Sequence, residues 1–209
     1  MRHTPAKAYL PGAFVAAWVL GVTFSSLASA QESSPRALLE SGKFEEAAGA
    51  VAALGEGASQ ADNYVAGQSL ARLDRLDAAR ESFRKLEAGD ENAWTFVGRS
   101  ASAVVDGDFA AARENAQRAV DLDGGLFHAW YQLGIVKSLT GDFNGAAADL
   151  ERATEIDGGQ AYAHYYAGVA YNKARKVDEM ARHFRAFVTL APEAPERPQV
   201  EAILRTLRR

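Results

Sequence analysis

The sequence predicts an all-α fold, an α-solenoid of four to five helical hairpins with a capping helix at its C-terminal end. Three observations point there. Gly107-Asp108-Phe109, Ala112, Arg118-Ala119 and Asp123-Gly124-Gly125 return as Gly141-Asp142-Phe143, Ala146, Arg152-Ala153 and Asp157-Gly158-Gly159, an offset of 34 residues. A period of that length marks stacked supersecondary units rather than one closed core. Within a unit, Phe143, Ala146, Leu150 and Ala153 fall at spacings of three and four, the period of an amphipathic helix. Gly67, Gly98, Gly134 and Gly168 recur inside the first helices. Glycine in a helix costs about 1 kcal/mol relative to alanine, so its recurrence implies close helix approach.

The elements follow in order. Residues 1–30 read as a cleaved secretory signal: Arg2, His3 and Lys7 are basic, Ala13 to Val22 is nearly all apolar, and Ala28-Ser29-Ala30 offers small residues for cleavage. Thr23, Ser25 and Ser26 interrupt a run already shorter than the roughly 20 residues that span a bilayer. The expectation is a periplasmic or secreted protein cleaved after Ala30, with no integral membrane segment left. Residues 33–58 form a shortened first unit, with Ser34-Pro35 as a helix start and Gly42-Lys43-Phe44 as its turn. Further units are expected at 59–91, 92–125, 127–160 and 161–192. In 127–158, Gly141-Asp142 breaks the first helix and Asp142 is placed to cap the second; Gly107-Asp108 is its copy. Gly158-Gly159 is expected to end its unit in left-handed backbone. In 92–125 two registers compete: Trp94 with Gly98, or a strict count that puts Ser100 at the glycine position. The Trp94/Gly98 register is preferred. Met180 and Phe187 replace smaller residues in the last unit and suggest looser or end-of-array packing. After Pro192, residues 193–209 give a proline-rich turn and a helix whose Val200, Ile203, Leu204 and Leu207 form one stripe, read as the cap.

With Trp130, Leu133 and Gly134 in the first helix and Ala146, Leu150 and Ala153 in the second, residues 127–158 resemble the tetratricopeptide repeat (TPR). Gly168, Tyr171, Phe184 and Pro192 continue the resemblance. It implies a right-handed superhelix, here of an exported, bacterial-type protein. Its first helices would line a concave groove for a partner peptide or helix. The groove positions that the resemblance carries over are Tyr64, Gln68 and Arg72; Thr95 and Arg99; His128, Tyr131 and Ile135; then Tyr162, Tyr165, Val169 and Asn172. Tyr166 and Tyr171 fall on other faces.

Chemistry is scarce. There is no cysteine, which excludes disulfides and thiolate metal sites. The formal net charge is −4, unevenly placed: residues 171–209 hold 9 basic and 5 acidic side chains, and the rest is acidic. An acidic body argues against nucleic acid. His128 and His164 fall on adjacent first helices, but two histidines lack the third ligand of a catalytic zinc site. Asp121-x-Asp123-Gly124 lacks the later ligands of a calcium loop and reads as an inter-unit turn. No cofactor or metal is expected. The reading is a non-enzymatic interaction scaffold of the cell envelope, with a self-associating structural subunit, a homo-oligomer, as the alternative.

Overall fold

The computed structural model describes residues 34–207; the expected signal segment lies outside them. Among the described residues eleven α-helices follow one another: α1 Pro35–Glu40, α2 Phe44–Leu54, α3 Gln60–Arg72, α4 Leu76–Arg84, α5 Ala93–Asp106, α6 Phe109–Leu122, α7 Phe127–Leu139, α8 Phe143–Ile156, α9 Ala161–Lys173, α10 Val177–Leu190 and α11 Arg197–Thr206. Five hairpins result, α1/α2 through α9/α10. Each helix packs on its neighbours in sequence, and the first helices α1, α3, α5, α7 and α9 also pack on one another in a row. No comparable row joins the second helices, so the first helices form the inner face of the solenoid.

One turn geometry is used five times. The residue that leaves each first helix has a positive φ: Gly42 at 75°, Asp74 at 58°, Gly107 at 77°, Gly141 at 85° and Arg175 at 60°. Only glycine adopts this conformation without a steric cost, so Asp74 and Arg175 hold it under strain. The aspartate that follows glycine in the third and fourth hairpins caps the second helix. Asp108 accepts the Ala111 N–H at 3.0 Å and Asp142 the Gly145 N–H at 3.0 Å. Each supplies a partner for an N–H that the helix leaves free.

The inter-unit turns differ from expectation. Gly158 and Gly159 are not among the positive-φ residues. The turn is made by Asp157, whose carboxylate accepts the Gly159 N–H at 3.0 Å, as Asp123 accepts that of Gly125 at 2.9 Å. An aspartate bonding two residues onward forms this turn without left-handed backbone.

Inside the hairpins the small positions are forced. A Cβ on Gly67 would lie 2.3 Å from Phe83, on Gly134 2.5 Å from Leu150, and on Gly168 2.4 Å from Phe184. In the third hairpin the equivalent residue is Ser100, not Gly98. Ser100 is fully buried and its hydroxyl donates to the Ala112 carbonyl at 2.7 Å. A Cβ on Gly98 would instead meet the Phe83 carbonyl at 2.6 Å, in the preceding hairpin. The strict 34-residue register therefore holds through α5, and the Trp94/Gly98 register is corrected. Serine serves because its hydroxyl bonds the carbonyl it is pressed against.

Of the looser or end-of-array packing expected for the last hairpin, the structure has the second: the hairpin ends the array and is tightly packed. Met180 and Phe187 are buried, and the Phe187 ring lies 5.1 Å from that of Tyr165 and 5.9 Å from that of Tyr162. Helix α11 covers the outer face of this hairpin through buried Val200, with Ile203 and Leu204 against the core.

Two substitutions test this account. Gly134→Leu drives a branched side chain into Leu150 and is expected to lower stability by at least about 2 kcal/mol, measured by urea denaturation. Arg175→Gly relieves left-handed strain and is expected to raise stability by up to about 1 kcal/mol in the same assay.

Candidate functional site

The inner face is not an open trough. Tyr64 from α3 and Tyr131 from α7 meet in the middle of it, with ring centroids 6.4 Å apart and edge-on. The Tyr64 hydroxyl donates to Gln132 at 2.7 Å, a bond between residues two hairpins apart. Burial pushes the ionisation of both tyrosine hydroxyls well above its ordinary value. The two rings are thus neutral apolar walls that divide the face into two compartments.

On one side of them lies an open cavity of about 240 Å³. Its apolar lining is Ala71, Phe83, Ala101, Val104, Val105 and Ile135, and its polar groups are Gln68, Arg72, Gln132 and the tyrosines Tyr64, Tyr131 and Tyr166. Small-molecule pockets span ~300–1,000 Å³. This cavity is smaller and suits one or two side chains of a bound segment. The compartment on the other side has only about 20 Å³ of space, because α1 fills it with Leu39 and Glu40.

Arg72 lines the open cavity and reaches the ring of Tyr162, which lines the filled compartment. Its guanidinium donates to Glu196 at 2.8 Å and to the Tyr166 hydroxyl at 2.8 Å. It lies 4.0 Å from the Tyr162 ring centroid and 5.1 Å from that of Phe44. Burial alone would lower its pKa. The surrounding Tyr166, Tyr162, Tyr131 and Glu196 outweigh this and raise it, so the group stays charged. A guanidinium held between ring faces and a carboxylate is a fixed anchor, since stacking and hydrogen bonds act in different directions.

The residues expected in the groove separate into three groups. Tyr64, Gln68, Arg72, Tyr131 and Ile135 line the open cavity. His128 and Tyr162 line the filled compartment. His128 sits 4.4 Å from the Trp94 ring and 5.1 Å from the Tyr64 ring, away from His164. Five residues lie elsewhere: Thr95 is buried and accepts the Asn92 N–H at the start of α5, Val169 packs against the core, and the other three are equally removed from the cavity. Arg99 pairs with Glu87 and Glu91, Asn172 is exposed, and Tyr165 packs on Phe184 and Phe187. The Arg99 placement follows from the register correction: a strict count puts Trp94, Val97 and Ala101 at the positions of His128, Tyr131 and Ile135. Sequence reasoning missed Gln132 and Tyr166. They lie 34 residues apart, so the same periodicity carried the signal.

His164 meets His183 instead of His128, with Nδ1 atoms 3.1 Å apart. His164 Nε2 lies 3.2 Å from the Gly158 carbonyl and donates to it. His164 Nδ1 then accepts from His183, and the other His183 nitrogen is buried without a partner. The contact between the two rings is that of neutral imidazoles, one donating and one accepting. No group of three metal-binding side chains exists among the described residues.

Burial sets the acid response. It pulls His183 down to about 4, helped by Arg182 and His164. It pulls His128 down to about 4, helped by Arg36. Groups with a lowered folded pKa resist protons that the unfolded chain accepts, so stability present above pH ~6.5 is lost as pH falls toward 4. Glu40 acts oppositely. Burial raises it to about 7 against the pull of Arg36, so its uptake of a proton below that pH stabilises the fold. The expected outcome is a net fall in melting temperature between pH 6.5 and 4. That slope becomes shallower in His183→Gln, whatever its melting temperature at pH 8.

With the geometry in view, the chain can be compared with known proteins. The family model described as tetratricopeptide repeat matches residues 127–160. No curated protein sequence matches the chain. Among solved structures, YrrB, described as a TPR protein with an unusual peptide-binding site, is 23% identical. The match covers 88% of this chain and 91% of that one, with a TM-score of 0.51. The Arabidopsis OM64 TPR domain is 20% identical over 58% of this chain and 98% of its own, with a TM-score of 0.52. The first TPR of Spaghetti (RPAP3), solved with the HSP90 peptide SRMEEVD, is 16% identical over 56% of this chain and 97% of its own, with a TM-score of 0.52. One unit of the chain, residues 127–160, thus matches the tetratricopeptide repeat in sequence, and the array as a whole has the fold of these TPR structures.

Proposed function

We propose that the protein is a non-catalytic interaction scaffold that captures a segment of a partner protein on its inner face, working in the cell envelope after export. The observation that carries the binding reading is the open cavity bounded by Tyr64, Tyr131 and Arg72. It combines apolar walls with a few fixed polar groups, the composition that seats an anchor side chain and orients the backbone around it. A satisfied charge at its rim gives direction without leaving an unpaired ion inside. Two proteins of similar fold, YrrB and Spaghetti, carry peptide binding or a bound peptide in their descriptions, which agrees with this use of the fold. The export reading rests on the basic, apolar and small-residue pattern of residues 1–30. No helix among the described residues is long and apolar enough to cross a membrane.

The diagnostic substitution has to leave the core intact. Tyr131 is 4% exposed, so truncating it to alanine would open a cavity and cost about 3–5 kcal/mol. Val104→Trp fills the open cavity from its half-buried wall instead. Affinity capture from the native host is expected to recover a partner with the wild-type chain and lose it with Val104→Trp at unchanged helicity. Equal recovery by both chains would refute the cavity as the site. A partner-free chain that is monodisperse and monomeric by light scattering would also set aside the self-associating alternative.

A further inference from the structure

In a solenoid each unit leans on its neighbours, and contacts between distant units are not needed to build it. This chain has such contacts, gathered along one seam. Arg36 of α1 pairs with Asp157, before α9, at 3.1 Å across 121 residues. Glu40, the last residue of α1, accepts the Tyr162 N–H at 3.2 Å. That N–H is at the start of α9, where Gln160 provides no side-chain cap. One end of the array therefore caps a helix at the other. Nearby, Lys43 pairs with Glu193 at 3.3 Å, and Glu196 is held by Arg72 and by the Tyr162 hydroxyl at 2.9 Å.

We infer that these contacts are a latch: the first hairpin and the turn at residues 192–196 hold the solenoid closed over its inner face, and releasing them opens that face without unfolding the helices. Three features support a separable closure. The apolar centre of the first hairpin, Leu39 and Ala47 with Val65, is a cluster apart from the main core. The seam is mainly polar, and several of its charged members are substantially exposed, with Lys43 and Glu193 side chains 47% and 64% accessible. Pairs of that kind hold weakly and are screened by salt. Arg72 belongs both to the seam and to the open cavity, so opening would join the filled and open compartments into one longer groove.

The inference rests on the proposed binding role only for what opening would serve; the motion itself is measured without a partner. The chain has no native cysteine, so spin labels can be placed on the exposed residues Glu46 and Gln199 as Glu46→Cys and Gln199→Cys in the full chain. Double electron–electron resonance is expected to give one short distance. In Arg36→Ala/Glu40→Ala/Glu196→Ala the mean distance is expected to lengthen by about one helix diameter, ~10 Å, with far-UV circular dichroism unchanged. High salt should broaden the wild-type distribution in the same direction. Anilinonaphthalene sulfonate fluorescence should rise in the unlatched chain and stay low when a bismaleimide links Lys43→Cys to Glu193→Cys. An unchanged distance overturns the latch. Loss of helicity in the triple variant also overturns it, because the seam would then be part of folding.

Discussion

The structure depends on how closely the two helices of each hairpin approach. At Gly67, Ser100, Gly134 and Gly168 there is no room for an ordinary side chain, because Phe83, Leu150, Phe184 or the Ala112 carbonyl occupies the space. Close approach lets a large residue of the second helix pack against backbone of the first, which gives each unit a dry centre despite its small size. That fixed hairpin is the brick; the stacking, the curvature and the inner face all follow from laying it five times. The Ser100 case shows what the constraint selects. A residue small enough to fit is accepted if its polar atom also finds a partner, since an unpaired buried hydroxyl is costly.

Curvature then brings first helices together and turns their side chains toward one another. In an open superhelix such residues would face solvent. Here Tyr64, Tyr131 and Tyr162 are nearly inaccessible, because α1 and the turn before α11 close over them. The consequence is a division of labour along the inner face. One part is spent on closing the array and the other remains as a cavity, with Arg72 shared by both. Aromatic faces around that arginine keep it charged and oriented while excluding water.

Electrostatics at the two ends of the array are matched in a way that bulk charge hides. Arg36 and Lys43 at the N-terminal end meet Asp157 and Glu193 near the C-terminal end. Glu40 adds an acceptor oxygen for a free N–H at the start of α9. These pairs do not build the hairpins. They choose how far the solenoid is wound.

How much of this was legible in the sequence depends on range. The repeat, the Gly-Asp turn, the aspartate caps and the C-terminal cap helix were all readable, because they arise from backbone geometry within a few residues and are copied every 34. Gln132 and Tyr166 were readable in principle from the same period. The register of α5 was misjudged because Trp94 and Gly98 imitate the pattern of Trp130 and Gly134, while the strict-count match, Ser100, differs in residue type and is decided by the Ala112 carbonyl it touches. What the sequence alone determined is the hairpin and its repetition, both local. What only tertiary structure decided is the closure: Arg36 reaches Asp157 and Glu40 caps α9, and no periodic signal connects residues more than a hundred positions apart. Such pairs form because the accumulated rotation of five units brings the first hairpin back to the last.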